Sequence, residues 1–445
     1  MNQNNTKHIH FIGIGGIGMS GLARFYKHEG VMVTGSDRAR SMITETLENL
    51  GIEINYDQEN TSIYRSVSEN GGGIDMVVYT EAMSKDHPEM VAARALGVPM
   101  MNYFDALSKV ANEYYLIAVA GTHGKSTTTA MLIDILEEAS YDPTAIVGAL
   151  RTKTKSNFRA GKSKYAIVEA CEYKRDFLHL KPDVLVITNI EYEHVDYYKN
   201  LADVQDAFST FALQVREGGA IIVNATDPNI APVLSAIIND GHPMTVIDYR
   251  THLNLALSLR QPGMHNRLNA AAAKAAAIFL KIEPTIINTA LENFAGTGRR
   301  FEYKGEVNGA SIYDDYAHHP TEIKATITGV REKYPDKKLT VIFQSHTYSR
   351  THELFNDFVD SLCKADRVVM LPIYGAREEN KSGVSSEQLV SAILAKGIEA
   401  NSFYTPSALA EFVKEIVDIN DVVIIMGAGP VTEISKLLTS NILTP

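Results

Sequence analysis

Residues 114–128 read YYLIAVAGTHGKSTT, in which an apolar run leads through a glycine-bounded turn into a helical pattern. A turn placed between a buried strand and a helix wraps phosphates with backbone N–H groups, presents its lysine to the β- and γ-phosphates and offers its serine to Mg²⁺. Val119 stands where the full GxxxxGK(S/T) pattern has its first glycine, so an inert turn is the alternative. The pattern predicts a nucleoside triphosphate loop formed by Gly121, Thr122, His123, Gly124, Lys125, Ser126 and Thr127.

A second glycine-rich turn stands near the N-terminus, where Gly13, Gly15 and Gly18 follow the apolar run HIHFI and open a helical pattern. Glycines at this spacing allow a tight turn and let backbone N–H groups approach a diphosphate at the positive end of the helix. Asp37 ends the next strand, where an acidic side chain would meet a ribose hydroxyl. The turn predicts a diphosphate-containing nucleotide of open identity, and the alternative is a turn needed only for close packing.

Short apolar runs alternate with amphipathic helical patterns along the chain, which is typical of βαβ units on parallel sheets. Strands are expected near residues 8, 31, 74, 114, 165, 184, 219, 255, 311, 338, 365 and 421, and an alanine-rich helix from about 265 to 281. We predict an α/β protein of three domains, which are a Rossmann-like nucleotide domain (1–112), a central P-loop domain with a mainly parallel sheet (113–297) and a Rossmann-like C-terminal domain (298–445).

The composition excludes several classes of protein. The 445 residues are 45% hydrophobic and 21% charged, and no apolar stretch reaches the roughly 20 residues that a membrane span needs. A formal net charge of −11 argues against nucleic-acid binding. Residues 151–164 are a local exception, with six basic and no acidic residues, and this segment is either a site that attracts an anion or a solvated loop. Two cysteines, Cys171 and Cys363, form no disulfide framework, and the N-terminus lacks a secretory pattern, so a cytoplasmic protein is expected.

Acidic and imidazole side chains follow two strands of the expected central sheet. These are Glu169 and Glu172 after YAIV, and Glu191, Glu193, His194 and Asp196 after VLVITNI. The carboxyl ends of parallel strands lie beside the phosphate loop, where ligands bind. Because Mg²⁺ prefers a few carboxylates together with phosphate oxygens, Glu169 fits a metal role, and an acidic surface loop is the alternative.

Two polar segments also end strands of the third domain, YDDYAHHP at residues 313–320 and QSHTYSR at residues 344–350. We expect them at neighbouring strand ends, where they would form one binding edge. A structural explanation exists for part of this pattern. His319 could shape a turn before Pro320, and Asp314 or Asp315 could cap the following helix.

Taken together, the motifs resemble the Mur ligases of peptidoglycan synthesis. The resemblance covers nearly the whole chain and rests on segments that occur in the family's order, namely FIGIGGIGMSGLA, GSD, GTHGKSTTT, EACEYKRDFLHLKPD, TNIEYEHVDYY, GMHNRLNAAAA, GTGRRFE, DDYAHHPTEI and SRT. The chain departs from the family at Ser345 and Thr347, where the family commonly has proline and arginine around the histidine of its FQPHxxxRT segment.

The resemblance implies an activity. A Mur ligase of the L-alanine-adding branch uses ATP and Mg²⁺ (or Mn²⁺) to convert the lactyl carboxylate of UDP-N-acetylmuramate into an acyl phosphate, which the amine of L-alanine then attacks. The implied partners are these three small molecules, with no nucleic acid and no membrane span, and the implied assembly is a monomer or a homodimer. The family's C-terminal domain closes on the other two domains.

The resemblance also implies roles for particular residues. It assigns the UDP-sugar to Gly15, Gly16, Ile17, Gly18, Ser36 and Asp37. It assigns ATP to the phosphate loop, to His265 and Asn269 at the adenine, and to Arg300 at the γ-phosphate. It assigns the metal to Ser126, Glu169 and His194, and the amino acid to Tyr316, His318, His346 and Arg350. The implied catalytic residues are Lys125, Arg300, His318 and His346, with His346 as a candidate base for the amine.

Three other interpretations compete with this one. An NAD-dependent oxidoreductase would explain Gly13 to Gly18 and Asp37 but leaves the GTHGKSTTT loop without a purpose. A P-loop switch or motor protein would explain that loop but not the nucleotide domain before it. A sibling ligase that adds a recycled peptide to the same sugar nucleotide is nearer, and the segments IEYEHVDYY and EACEYKRDF favour the L-alanine-adding branch over it.

Overall fold

The computed structural model describes residues 7–57, 73–195, 197–376 and 378–439. Its chain forms two compact units. The first unit comprises Met1–Asn254 and Asn269–Leu291, and the second comprises Leu255–Leu268 and Glu292–Pro445. No helix in the described part of the chain combines the length and the apolar character needed to cross a bilayer.

The first unit contains a five-stranded parallel sheet with the order β3-β2-β1-β4-β5. Its strands are β1 (His8–Ile12), β2 (Met32–Ser36), β3 (Glu53–Asn55), β4 (Met76–Tyr79) and β5 (Met100–Asn102). Its helices are α1 (Ile17–His28), α2 (Met42–Glu48), α3 (Pro88–Ala95) and α4 (Tyr103–Ala111). Because β2 and β4 flank β1, the glycine-rich turn after β1 lies at the point where the strand order reverses, which is where such sheets bind ligands.

The first unit also contains a seven-stranded sheet with the order β12-β11-β10-β6-β9-β7-β8, in which only the β7–β8 pair is antiparallel. Its strands are β6 (Tyr115–Ala120), β7 (Thr144–Arg151), β8 (Ser156–Arg159), β9 (Tyr165–Glu169), β10 (Val184–Ile187), β11 (Ala220–Val223) and β12 (Thr245–Asp248). Its helices are α5 (Lys125–Glu138), α6 (Leu201–Ala212), α7 (Ala231–Asp240), α8 (Met264–Phe279) and α9 (Pro284–Asn293), of which α8 begins in the second unit. The phosphate loop after β6 again lies at the reversal of strand order.

The second unit contains a six-stranded sheet with the order β13-β14-β18-β15-β16-β17, parallel except for the β13–β14 pair. Its strands are β13 (Glu302–Val307), β14 (Ala310–Asp315), β15 (Lys338–Phe343), β16 (Arg367–Met370), β17 (Glu399–Ser402) and β18 (Asp421–Met426). Its helices are α10 (Pro320–Lys333), α11 (Tyr348–Glu353), α12 (Phe355–Leu362), α13 (Ser386–Ala395), α14 (Pro406–Ile416) and α15 (Ile434–Thr439).

One apolar core joins the two sheets of the first unit. Phe11 and Leu22 from the first sheet belong to the same buried cluster as Ile146, Phe177 and Ile187 from the second. Burying large apolar side chains is the main favourable contribution to folding, and a shared core holds both phosphate-binding loops in one body.

Three mainly parallel sheets confirm the predicted α/β class, and α8 confirms the alanine-rich helix. The boundaries at residues 112 and 297 stay a prediction. The strand expected near residue 255 is wrong, because Leu255–Leu257 lies in a turn. The guanidinium of Arg267 donates to the carbonyl oxygens of Leu255 and Leu257, so a side chain satisfies groups that a strand would pair with its neighbour.

Candidate active site

Two glycines give the phosphate loop its shape. Gly121 and Gly124 have φ values of +126° and +82°, which side chains rarely adopt. A Cβ atom on Gly121 would lie 2.1 Å from Thr188 Oγ1, and one on Gly124 would lie 2.3 Å from Asn269 Oδ1. The loop therefore packs against its neighbours so closely that only glycine fits at either position. Asn269, assigned to adenine by resemblance, lies against the loop.

The ammonium group of Lys125 lies inside the loop. Lys125 Nζ donates to the carbonyl oxygen of Thr122 at 3.0 Å and forms an ion pair with Glu172 Oε2 at 2.9 Å. Burial lowers the pKa of Lys125, but the Glu172 carboxylate more than offsets this, so the pKa is raised overall. Burial raises the pKa of Glu172, and Lys125 followed by His194 lowers it below its ordinary value. Both groups are therefore charged at neutral pH.

The segment after β10 holds the rest of the loop. The backbone N–H of Thr122 donates to the Asn189 carbonyl at 3.0 Å, and that of His123 donates to Asn189 Oδ1 at 2.9 Å. The backbone N–H of Glu191 in turn donates to Thr122 Oγ1 at 2.8 Å. Because the first two N–H groups already have partners within the protein, the N–H groups available for phosphate are those of the first turn of α5, at Lys125, Ser126 and Thr127.

Two small clusters of metal-ligand atoms flank Lys125. In one, Ser126 Oγ donates to Glu169 Oε1 at 3.0 Å, and the N–H of Gly148 donates to Glu169 Oε2 at 2.8 Å. In the other, His194 Nε2 lies 3.2 Å from Glu172 Oε1. Carboxylate and hydroxyl oxygens are the donors that Mg²⁺ prefers, so Ser126 and Glu169 fit such an ion.

The second cluster contains two acidic residues, Glu172 and Glu193, to which no role was assigned from the sequence. Ligand atoms of Glu172, Glu193 and His194 all lie within 4.8 Å of one another. Glu172 joins this cluster to Lys125, a contact that the sequence does not predict because Glu172 lies two residues beyond Ala170, outside the strand. Its position shortly after the end of β9 was the one sequence feature that pointed to Glu172. Asp196, noted with these residues, lies outside the described residues.

The glycine-rich turn after β1 packs against an acidic side chain and a tyrosine ring. The N–H of Gly15 donates to Asp37 Oδ2 at 2.8 Å, and a Cβ atom on Gly15 would lie 2.8 Å from that oxygen. A Cβ atom on Gly18 would lie 2.7 Å from Tyr103 Cζ. Gly16 is the N-cap of α1 and makes no side-chain cap, so the helix N-terminus can donate to an anion.

Ser36 faces the interior and not this helix terminus. Its hydroxyl donates to a carboxylate oxygen of Glu89, and both residues are buried. Burial raises the pKa of Glu89 to about 7, although the Ser36 hydrogen bond opposes the rise. The side chain of Ser36 is therefore part of a buried pair, and its backbone carbonyl accepts from Gly13 and Ile14 at 2.9 and 3.0 Å.

The second unit brings together the residues assigned to the amino acid. The ring centroid of His318 lies 5.2 Å from that of Tyr316 and 6.2 Å from that of His346. Arg350 Nη1 donates to the His346 carbonyl at 3.2 Å. These residues follow β14 and β15, which are not neighbours as predicted, because β18 lies between them. The two segments still meet, as the distance between the His318 and His346 rings shows.

Charge within this cluster is distributed unevenly. His318 Nδ1 lies 3.2 Å from a carboxylate oxygen of Glu322. His346 Nδ1 is buried and has no hydrogen-bond partner among the described residues. Burial, followed by the charges of His318 and Arg350, lowers the pKa of His346 to about 4. His346 is therefore a neutral imidazole at neutral pH, and His318 has the carboxylate that stabilises a cation.

The two adjacent arginines of the second unit have different surroundings. Arg299 Nε lies 3.2 Å from Asp314 Oδ2, and its guanidinium also donates to the carbonyl oxygens of Gly427 and Gly429. Arg300 lies over the Tyr316 ring with its Cζ 5.1 Å from the centroid, and its Nη1 lies 3.6 Å from Glu322 Oε1. Both arginines lie over the Tyr316 ring, with Arg299 Cζ 5.0 Å from the centroid, and they differ in their other partners, which are backbone carbonyls for Arg299 and Glu322 for Arg300.

His265 shares the second unit with Arg300. Burial, followed by the charge of Arg300, lowers the pKa of His265 to about 4. Its Nδ1 is buried without a hydrogen-bond partner in the described ranges. A neutral, buried imidazole next to a cation can offer its nitrogen to a ligand as an acceptor.

Comparisons with known proteins cover the whole chain. Residues 8–115 match the Mur ligase family catalytic domain, residues 119–277 the Mur ligase middle domain, and residues 299–429 the Mur ligase glutamate ligase domain. The chain is 42% identical over 452 residues to UDP-N-acetylmuramate–L-alanine ligase of Agathobacter rectalis, covering 96% of this chain and 97% of that one. It is 38% identical over 460 residues to the enzyme of the same name from Clostridium novyi, covering 98% of each.

Solved structures give the same picture. UDP-N-acetylmuramate-alanine ligase from Thermotoga maritima superposes with a TM-score of 0.80 at 27% identity, covering 97% of this chain and 98% of that chain. A murein peptide ligase from Psychrobacter arcticus superposes with a TM-score of 0.70 at 24% identity, covering 99% and 100%, and shows a shared fold.

Proposed function

This chain belongs to the Mur ligase family, and from that premise we propose that it joins L-alanine to the lactyl carboxylate of UDP-N-acetylmuramate at the expense of ATP. The arrangement that carries the proposal is the pair of phosphate-binding loops on one shared core, with Lys125, Glu172 and Glu169 at only one of them. The turn after β1 binds the sugar nucleotide, whose diphosphate does not react, and the loop after β6 binds ATP, whose γ-phosphoryl group is transferred.

In the first step, an oxygen of the lactyl carboxylate attacks the γ-phosphorus of ATP, and the bond from that phosphorus to the β–γ bridging oxygen breaks. The products are an acyl phosphate and ADP. Lys125 stabilises the charge that develops on the transferring phosphoryl group, and the N–H groups at the start of α5 hold the phosphates in place. We assign Arg300 to the same charge by family resemblance.

Ser126, Glu169 and His194 are the residues that would hold Mg²⁺, and Glu172 and Glu193 extend the set of donors. When bound, the ion would neutralise charge on the phosphate oxygens. The proton of Ser126 Oγ is already held by Glu169, which turns the hydroxyl oxygen toward ligation.

In the second step, the amine of L-alanine attacks the acyl carbonyl and expels inorganic phosphate. We place the amino acid at Tyr316, His318, His346 and Arg350. Because His346 stays neutral to a pH of about 4, its unpaired nitrogen accepts a hydrogen bond from the amine but takes up a proton weakly. We propose His318, whose Nδ1 lies 3.2 Å from a Glu322 carboxylate oxygen and 3.0 Å from the Tyr316 carbonyl, as the second imidazole available to the amine's proton.

The ordinary site of this reaction is the cytoplasm, where ATP and the sugar nucleotide are found, and we place the protein there. ADP release and phosphate release with UDP-N-acetylmuramate, ATP, Mg²⁺ and one amino acid at a time test the function directly. We expect a product whose mass equals that of UDP-N-acetylmuramate plus one alanine residue. A product formed only with a tripeptide acceptor would overturn the assignment in favour of a peptide ligase, and absence of any coupled product would overturn both.

A further inference from the structure

The antiparallel pair of β7 and β8 forms a hairpin that contacts each of the two phosphate-binding helices. In sequence it overlaps the basic segment 151–164, which the composition left open as an anion-attracting segment or a solvated loop. Arg151 pairs with Asp134 and Glu137, and Arg159 pairs with Glu137 and Asp142. These arginines are therefore committed to carboxylates of the protein, two of which lie on α5.

The other side of the hairpin reaches the helix that follows the glycine-rich turn. Asn157 of β8 is completely buried. Its amide Nδ2 donates to the carbonyl oxygen of Ile17 and lies 3.0 Å from Ser20 Oγ. Ile17 is the first residue of α1, so this side chain holds the turn of helix whose N–H groups face the diphosphate.

The surrounding hydrogen bonds fix the orientation of this amide. Ser20 Oγ donates its proton to the Ile17 carbonyl at 2.9 Å, so the hydroxyl can only accept from Asn157. Both acceptors therefore require an N–H donor, and the amide cannot be turned over without losing both bonds. Aspartate has the same shape but lacks this donor when ionised.

Glycine allows the close approach that these bonds need. A Cβ atom on Gly21 of α1 would lie 2.9 Å from Ile146 Cγ2 and 3.2 Å from Asn157 Nδ2. The same hairpin also reaches the candidate metal site, because the N–H of Gly148 donates to Glu169 Oε2 at 2.8 Å. One hairpin thus touches α1, α5 and Glu169.

We propose that Asn157 is a positioning residue for the sugar nucleotide, which sets the first turn of α1 relative to the central sheet through the β7–β8 hairpin. The inference rests on the proposed function, because it takes the glycine-rich turn as the UDP-sugar site. Asn157 contacts α1 and not the phosphate loop, so its loss affects one nucleotide and spares the other.

Calorimetric titration of the full chain with UDP-N-acetylmuramate and, separately, with ADP and Mg²⁺ tests this. For Asn157→Ala we expect the Kd for UDP-N-acetylmuramate to rise about tenfold, since the two lost hydrogen bonds preorganise the helix terminus. The Kd for ADP should stay within about twofold, and the steady-state counterpart is a raised KM for the sugar nucleotide with little change in kcat.

Phe158→Leu is the matched control. Phe158 neighbours Asn157 on β8 and packs against Phe25 at the far end of α1, with ring centroids 6.2 Å apart, so its truncation weakens the same contact without touching the first turn. We expect it to lower Tm by a similar amount and leave the Kd for the sugar nucleotide unchanged. Equal increases in that Kd for both variants would reduce Asn157 to a packing role and overturn the inference.

A second variant protects the test against a failure of Asn157→Ala to fold. Ser20→Ala removes one of the two acceptors of the Asn157 amide and should raise the Kd for UDP-N-acetylmuramate about threefold. Wild-type affinity for UDP-N-acetylmuramate in both Ser20→Ala and Asn157→Ala would overturn this inference but not the proposed function. A wild-type protein that binds ADP but not UDP-N-acetylmuramate would overturn the proposed function itself.

Discussion

The two phosphate-binding loops of the first unit have the same local architecture and opposite electrostatics. Each follows a central strand at the reversal of strand order and leads into a helix through glycines that pack closely against neighbouring side chains. Beside the first loop lies an acid, Asp37, which accepts from the N–H of Gly15. Inside the second loop lies a cation, Lys125, paired with the buried Glu172.

This difference fits a first loop that only binds its nucleotide and a second loop that takes part in phosphoryl transfer. Backbone N–H groups at a helix terminus are enough to hold a diphosphate, and an acidic side chain beside them suits a hydroxyl-bearing ribose. Phosphoryl transfer needs more, because charge that develops on the moving phosphoryl group must be met by a fixed cation. We therefore propose that the side chains beside each loop, and not its glycines, decide which nucleotide is only bound and which one reacts.

Lys125→Met should have the largest effect on activity while leaving the first loop unaffected. We expect kcat to fall by at least about a thousandfold, because the only side-chain cation described inside the loop is lost, while the Kd for UDP-N-acetylmuramate stays within about twofold. Steady-state ligation and titration with the sugar nucleotide measure the two effects. Retention of more than a tenth of the wild-type kcat would contradict the role of Lys125.

The same substitution should also destabilise the protein, and a double variant separates the two effects. Removing Lys125 leaves Glu172, whose side chain is 3% exposed, without its main counter-charge, at an expected cost of about 3 kcal/mol. Lys125→Met/Glu172→Gln should regain much of the lost stability to urea and none of the activity. If activity returned with stability, Lys125 would be structural only.

Glu169→Gln sharpens the comparison at the metal site. The substitution keeps the shape and an acceptor for one of the two donors, Ser126 Oγ or the Gly148 N–H, but removes a charge that Mg²⁺ prefers. We expect about a hundredfold loss of kcat at low Mg²⁺, with partial recovery as Mg²⁺ is raised, and no change for the sugar nucleotide. Activity that does not depend on Mg²⁺ concentration in either protein would exclude Glu169 as a ligand.

Sequence predicted the two loops well because local rules govern them. Glycine at positions 13, 121 and 124 follows from positive φ, and a strand–turn–helix order identifies the turns as anion sites. The roles predicted for Lys125, from its position in such a loop, and for Glu169, from its position at a strand end, stay predictions. These features depend on residues that are near one another in the chain.

Long-range contacts could not be predicted. Glu172 is 47 residues from Lys125, and Asn157 is 140 residues from Ile17, so neither pair leaves a periodic trace in the sequence. Ser36, assigned by resemblance to the sugar nucleotide, bonds through its side chain to Glu89, 53 residues away. The strand predicted near residue 421 is β18, but its position between β14 and β15 was missed for the same reason, since strand order is set by packing and not by the order in the chain.

Gly18→Ala tests whether the two loops are independent. The added methyl would lie 2.7 Å from Tyr103 Cζ, so Tyr103 must move and α1 must shift. We expect the KM for UDP-N-acetylmuramate to rise about tenfold and that for ATP to stay unchanged. Gly18→Ala/Tyr103→Leu, which makes room, should recover most of the loss. Gly124→Ala, crowded against Asn269, should show the reverse pattern, with ATP affected and the sugar nucleotide spared.

The smallest expected effect concerns pH and the buried carboxyl group beside the first loop. Burial raises the pKa of Glu89 from 4.5 to about 7, so its neutral form is favoured in the folded protein. The corresponding stability is fully present below pH 4.5 and is lost as the pH rises through 7. Glu89→Gln stays neutral throughout, so relative to wild type it should gain stability between pH 5 and pH 8, by at most about 3 kcal/mol, with ligase KM values within about twofold. Thermal unfolding at both pH values measures this, with the exposed Glu29→Gln as control. Glu89 contacts Ser36, the last residue of β2. Equal pH dependence of stability in Glu89→Gln and wild type would contradict the raised pKa of Glu89.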